Sequence, residues 1–255
     1  MFRCTPWPSR RWFECSARLL LLLPALGYAC ASSPQLVGPS TPAPSIAPTL
    51  SAVLVGAQTQ LHIVNSPAER GAETEWQAEG TAEPRVSASG VVVASKSGDV
   101  RVSATAGKER LLWSTIAVPD ASGEHTGTLE MVDCRRLAGP GTSPCRFLIG
   151  PGRTIRLSLN QSQADLEGTM EFALAGVGRA SGGVTQAGNV TVTGVTSGGS
   201  ADMKMTVSQL IWSISESCGA ASMVAELRFE NAFGPQTLEA VFGGQLCRGD
   251  SPMVR

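Results

Sequence analysis

Residues 154–174 read Thr-Ile-Arg-Leu-Ser-Leu-Asn-Gln-Ser-Gln-Ala-Asp-Leu-Glu-Gly-Thr-Met-Glu-Phe-Ala-Leu. Ile155, Leu157 and Leu159 alternate with Arg156, Ser158 and Asn160, and Leu166, Gly168, Met170, Phe172 and Leu174 alternate with Glu167, Thr169, Glu171 and Ala173. A period of two puts one apolar and one polar face on each run, which is the signature of an antiparallel strand wetted on one side. The same pattern extends outward in both directions. It covers residues 125–134 before this stretch, and Val190 with Val192, 203–212, 223–229 and 236–246 after it. Gly182-Gly183, Gly198-Gly199 and Gly234-Pro235 punctuate the runs, as hairpin connections require. About eight strands fall in residues 124–248, with no convincing helical stretch. Eight meandering strands lose their exposed edges by closing into an up-and-down barrel, and a second β-sandwich is the alternative.

Four of the seven cysteines, Cys134, Cys145, Cys218 and Cys247, lie in this region. In an exported domain they imply two disulfides, for which three pairings exist. The favoured pair Cys134–Cys145 closes a Gly/Pro-rich loop, and Cys218–Cys247 ties back the last strand. Zinc is disfavoured, because no Cys-x-x-Cys pair exists and no histidine lies nearby in sequence. No other metal or cofactor is expected. Met203, Met205, Trp212, Met223 and Phe229 are candidate ligand-lining residues if the barrel holds a cavity, since flexible methionines suit adaptable pockets. A filled core is the commoner fate of such side chains. The segment 157–169 also resembles a recurrent element of uncharacterised exported barrel modules in bacteria.

Before this region, residues 50–118 carry shorter alternating runs, at 51–55, 58–64, 74–77, 91–94, 99–104 and 111–118. Six or seven short strands in this length imply a small sandwich. The run Val55-Gly56-Ala57-Gln58-Thr59-Gln60-Leu61, the tryptophan Trp76, the hairpin around Gly90 and the strand led by Gly98 resemble the bacterial Ig-like domain of group 2, over about 49–118. The resemblance implies an Ig-like sandwich of the kind found in bacterial surface proteins, as stalks or adhesive units. Trp76 would be a plug between two sheets. Residues 119–123 read as a linker and 249–255 as a tail.

The N-terminal end explains the remaining cysteines. Residues 1–30 hold Arg3, Arg10, Arg11 and Arg18 against Glu14, then five consecutive leucines from Leu19. A basic stretch followed by a short apolar one is a secretory signal, too short for a membrane-spanning helix. Leu26-Gly27-Tyr28-Ala29-Cys30 resembles a bacterial lipoprotein box, which would make Cys30 the site of lipidation and a lipid the link to a membrane. Cleavage after Ala29 or Ala31 without a lipid is the alternative. Arg10-Arg11 resembles a twin-arginine export signal, whereas the leucine run favours the general secretory route. Residues 31–49 hold five prolines and no charge, which reads as a semi-rigid spacer.

The whole chain has a formal net charge of −1, and charged residues make up 16 % of it. Through Ala29 the leader is +3, which leaves −4 on the exported part. That balance excludes nucleic acid as a partner. Catalytic equipment is scarce. Neither His62 nor His125 accompanies a nucleophile motif, Glu167 and Glu171 share one solvated strand face, and Gly176-Val177-Gly178 lacks the strand–turn–helix setting of a phosphate loop. Arg248-Gly249-Asp250 matches the tripeptide read by integrins and is taken as a coincidence. The expectation is therefore an all-β, non-enzymatic protein of the bacterial cell envelope that binds or adheres to an envelope or extracellular partner. The alternative is a carrier of a small apolar ligand inside the barrel.

Overall fold

The computed structural model describes residues 42–65, 74–150, 152–199, 202–215 and 217–249. The stretch read as a secretory signal, Cys30, most of the Pro-rich stretch and the residues beyond Gly249 lie outside the described residues. The first unit contains β1 (Ser45–Ala47), β2 (Ala52–Leu54), β3 (Gln58–Gln60), β4 (His62–Val64), β5 (Thr74–Glu79), β6 (Pro84–Val86), β7 (Val91–Ala94), β8 (Gly98–Ala106) and β9 (Glu109–Val118). One sheet runs β2-β9-β8-β5, with β2 parallel to β9. A second runs β3-β7-β6, and β1 pairs with β4. Val53, Leu61, Val92, Val100, Val102 and Trp113 form the sandwich core.

Two expectations change here. The run 58–64 is two strands, because β3 pairs with β7 while β4 pairs with β1. The spacer reading of 31–49 is also too long. Ser45–Ala47 is a strand of the Ig-like unit, and Ile46 is buried in its core. An apolar side chain between Pro44 and Pro48 satisfies β1 without a ladder in which proline would interrupt the donors. Trp76 packs against the core but stays half-buried. Trp113 is the buried tryptophan, and its indole N–H donates to the Pro48 carbonyl at 2.9 Å.

The second unit is a closed antiparallel barrel of eight strands in sequence order: β10 (Gly123–Ala138), β11 (Arg153–Ser162), β12 (Asp165–Phe172), β13 (Gly176–Val184), β14 (Asn189–Gly198), β15 (Met203–Ser213), β16 (Cys218–Asn231) and β17 (Gly234–Arg248). β17 pairs with β10 over their length and closes the wall. A four-residue helix, α1 (Cys145–Leu148), sits in the loop after β10. β11, β12, β15 and β16 alternate inward and outward residues, as the sequence pattern requires, whereas β10 has no buried residue beyond Met131.

Closure of so small a barrel needs sharp local curvature, which comes from bulges and glycine kinks. Register shifts occur in β10, β14 and β15. Gly168 and Gly178 take inward positions where a Cβ would overlap the carbonyl oxygens of Ser158 and Val195. Only a residue without a side chain lets the neighbouring strand pass so close.

Candidate functional site

The five residues read as possible ligand-lining groups all belong to the barrel interior. Met203, Met205, Trp212 and Met223 are at most 2 % exposed, and Phe229 is half-buried at the end where β16 turns into β17. They share one cluster with Leu157, Phe172, Leu210 and Phe242. Phe172 and Phe242 meet edge to face across the interior at 5.3 Å between ring centres. An eight-stranded barrel is just wide enough for side chains to fill it, and here large apolar side chains occupy it. Trp212 alone of the five lines a described pocket, a space of about 20 Å³ bounded by His125, Leu246 and Arg248. That volume suits a single water. The Trp212 Nε1 is buried without a protein partner, so a water there would find a donor.

The end of the barrel where β10 begins holds the junction with the Ig-like unit. Residues 119–122, read from the sequence as a linker, are clamped there. Gln161 Oε1 accepts the Ala121 N–H at 2.6 Å, while its Nε2 donates to the carbonyls of Pro119 and Gln163 at 3.3 and 2.8 Å. Arg248 donates to the carbonyls of Asp120 and Ser122 and forms an ion pair with Asp120 at 3.3 Å. Ala121 is fully buried, and Ala52 and Val118 of the Ig-like unit join the barrel's own core cluster. Gln163 further receives the Ser51 N–H at 2.7 Å, and Gln186 donates to Asp99 at 3.1 Å. The two units therefore share apolar contacts and hydrogen bonds.

His125 sits beneath this clamp, 2 % exposed. Its Nε2 is 3.0 Å from the Ala121 carbonyl, and its ring meets Trp212 edge to face at 5.4 Å. Burial pushes its pKa below the usual histidine value, and the Arg248 charge adds to this. The Ala121 carbonyl and Asp120 pull in the opposite direction. Burial also raises the Asp120 carboxyl, but hydrogen bonds from Ser122 and Arg248 outweigh it and hold the group below its ordinary range. Arg248, the first residue of the tripeptide singled out above, thus has its guanidinium engaged in the joint, and Asp250 lies outside the described residues.

The cysteines pair as Cys134–Cys145 and Cys218–Cys247. The first staples the loop carrying α1 to β10. The second joins directly opposed residues of β16 and β17, next to the joint. At the far end of the barrel, Leu137, Ile149 and Phe233 are exposed by 45, 51 and 70 %.

Two grooves lie on outer faces. One, of about 440 Å³, crosses the Ig-like sheet between Gln77, Arg101, Arg110 and Leu112. The other, of about 870 Å³, crosses β12 to β15 on the barrel wall. Its floor carries Thr169, Arg179, Val195 and Thr206 as successive cross-strand neighbours, with Glu167, Ser181 and Thr193 in the adjoining row. Glu167 had been read only as part of a solvated face. What sequence reasoning missed was the concavity, whose signal is the set of small inward residues Gly168, Ala180 and Gly194 on neighbouring strands. No group of three or more His, Cys, Asp or Glu side chains placed to hold a metal occurs among the described residues.

No curated protein matches the chain. The Ig-like unit alone finds a family: residues 41–116 match the model of the bacterial Ig-like domain (group 2), which reaches back to include β1, and it is to that family that the first unit is similar.

Proposed function

We propose that this is a non-enzymatic module of the bacterial cell envelope. The Ig-like unit acts as a rigid stem, and the barrel binds or adheres to an envelope or extracellular partner through its outer surface. The observation that carries this reading is the joint. Ala52, Val118 and Ala121 lie in the barrel core, so the stem can hold the barrel in a fixed orientation. The Ig-like domain matched by the first unit and the two disulfides support an exported surface protein. Lipidation of Cys30 would anchor the chain to a membrane, with the Pro-rich residues as the tether. Barrel side chains packed from Trp212 to Phe172 and Phe242 favour outer-face recognition over carriage of an apolar ligand inside.

Sedimentation of the mature protein with isolated envelope fragments tests the binding claim, and co-sedimentation is expected. A small molecule co-purifying in native mass spectrometry, with no envelope binding, would replace this reading with the carrier. Detergent-phase partitioning tests the anchor. The wild type should enter the detergent phase and Cys30→Ala should stay aqueous. An aqueous wild type would exclude the lipid.

A further inference from the structure

We propose that the groove across β12, β13, β14 and β15 is a binding site for an acidic glycan, one built of uronic acid or similarly carboxylated sugars. This deepens the reading of outer-surface recognition and rests on it. The groove lies over Gly168, Ala180 and Gly194, three inward positions with almost no side chain, and Met170 reaches into the space beneath Gly194. The residues that alternate outward over these positions line a concave face of about 870 Å³.

The lining has the chemistry of a carboxylated sugar. Arg179 stands in the middle row, between Thr169 and Val195, and it makes no ion pair or side-chain hydrogen bond among the described residues. A free guanidinium offers a planar fork that matches a carboxylate with two parallel hydrogen bonds. Around it, Thr169, Ser181 and Thr206 present hydroxyls that both donate and accept, as sugar hydroxyls do, and Thr193, whose hydroxyl donates to the Ser181 carbonyl at 3.3 Å, offers an acceptor. Val195, 44 % exposed, offers apolar surface to the C–H face of a sugar ring. Lys204, two residues from Thr206 on the same face of β15, adds a second cation, whereas Glu167 contributes one opposing charge and Glu171 is paired with Arg156. The barrel is closed, so no strand edge is free for β-pairing, and recognition falls to these side chains.

Affinity electrophoresis of the full mature chain in gels containing polygalacturonate, with dextran as the neutral control, tests this. Polygalacturonate should retard the wild type and dextran should not. Arg179→Gln should weaken the retardation at least tenfold, Arg179→Lys should restore part of it, and Thr169→Val with Thr206→Val should weaken it further without changing Tm. A wild type retarded equally by both polymers, or Arg179→Gln retarded like the wild type, overturns the site. Equal retardation by polyphosphate reduces it to a general anion site and overturns the sugar assignment. Envelope sedimentation separates the two levels. If wild type and Arg179→Gln bind envelopes equally, the groove fails and outer-surface binding stands. If polygalacturonate binds through Arg179 but envelopes do not bind, the groove stands and the envelope role fails.

Discussion

Replacing Gln161 by alanine should destabilise the whole molecule, because that side chain anchors residues 119–121 of the junction to the barrel. The amide makes three bonds: Oε1 to the Ala121 N–H at 2.6 Å, and Nε2 to the Pro119 and Gln163 carbonyls at 3.3 and 2.8 Å. Ala121 is fully buried, so its N–H would lose its partner where water reaches poorly. An unsatisfied buried donor costs about 1–3 kcal/mol, and each ordinary hydrogen bond contributes about 0.5–1.5 kcal/mol. The Nε2 bonds are weaker candidates, since the one to Pro119 is long and the Gln163 carbonyl lies in a half-buried turn that keeps partial access to water. The expected loss is about 2–3 kcal/mol. Urea unfolding followed by tryptophan fluorescence reads it directly. Trp76 and Trp113 report the sandwich, while Trp212 reports the barrel. The wild type should unfold in one transition, because Ala52 and Val118 are shared with the barrel core. Gln161→Ala should lower the midpoint and begin to separate the sandwich and barrel signals. A loss below about 0.5 kcal/mol, or a wild type already showing two independent transitions, would refute the account of the joint.

Three further outcomes follow from the same geometry. His125 has a folded pKa below its unfolded value, so its neutral form contributes stability that is fully present above about pH 6.5 and declines as pH falls. One proton accounts for at most about 1.4 kcal/mol per pH unit, and urea midpoints between pH 7.5 and 5 should fall in the wild type and flatten in His125→Gln. An equal pH slope in the variant would show that His125 is not the group responsible. Phe242→Ala removes half of the central aromatic pair and should cost about 3–5 kcal/mol by chemical denaturation, whereas a loss under about 1 kcal/mol would show a loosely filled interior. Gly178→Ala places a methyl on the Val195 carbonyl and should abolish soluble expression or lower Tm sharply, while Gly243→Ala, whose Cβ meets only a Val132 methyl at 3.6 Å, should be mild.

The barrel was legible in the sequence because each strand has one buried face. Leu166, Met170 and Phe172 against Glu167, Thr169 and Glu171 mark antiparallel strands with one wet face, and the choice of a barrel over a second sandwich is settled by the pairing of β17 with β10. The cysteine pairing was legible too, since Cys134 and Cys145 flank a short loop and Cys218 and Cys247 belong to neighbouring last strands. The joint was not. Pro119, Asp120, Ala121 and Ser122 have the composition of a free linker, and nothing local shows that Gln161 and Arg248, 40 and 128 residues from the partners they hold, will fix them. β1 was hidden for a similar reason. Its only apolar anchor, Ile46, sits among prolines that read as an extended spacer. Met203, Met205, Trp212 and Met223 are buried in the barrel and Phe229 is half-buried, but periodicity gives the direction of a side chain and not whether space remains beside it. The outer groove was missed because concavity arises from Gly168, Ala180 and Gly194 on three adjacent strands, and register between strands is invisible until the barrel closes.

The central functional claim is that recognition belongs to the outside of a filled barrel. The most direct measurement compares envelope binding by the wild type, by Thr169→Glu with Val195→Glu on the outer wall, and by Met205→Leu inside. Met205→Leu conserves volume and should fold with a small loss of stability. The account predicts that the outer double variant, folded by circular dichroism, loses at least tenfold in affinity while Met205→Leu binds like the wild type. Loss of binding in Met205→Leu with retention in the outer variant would contradict it and place the function in the interior.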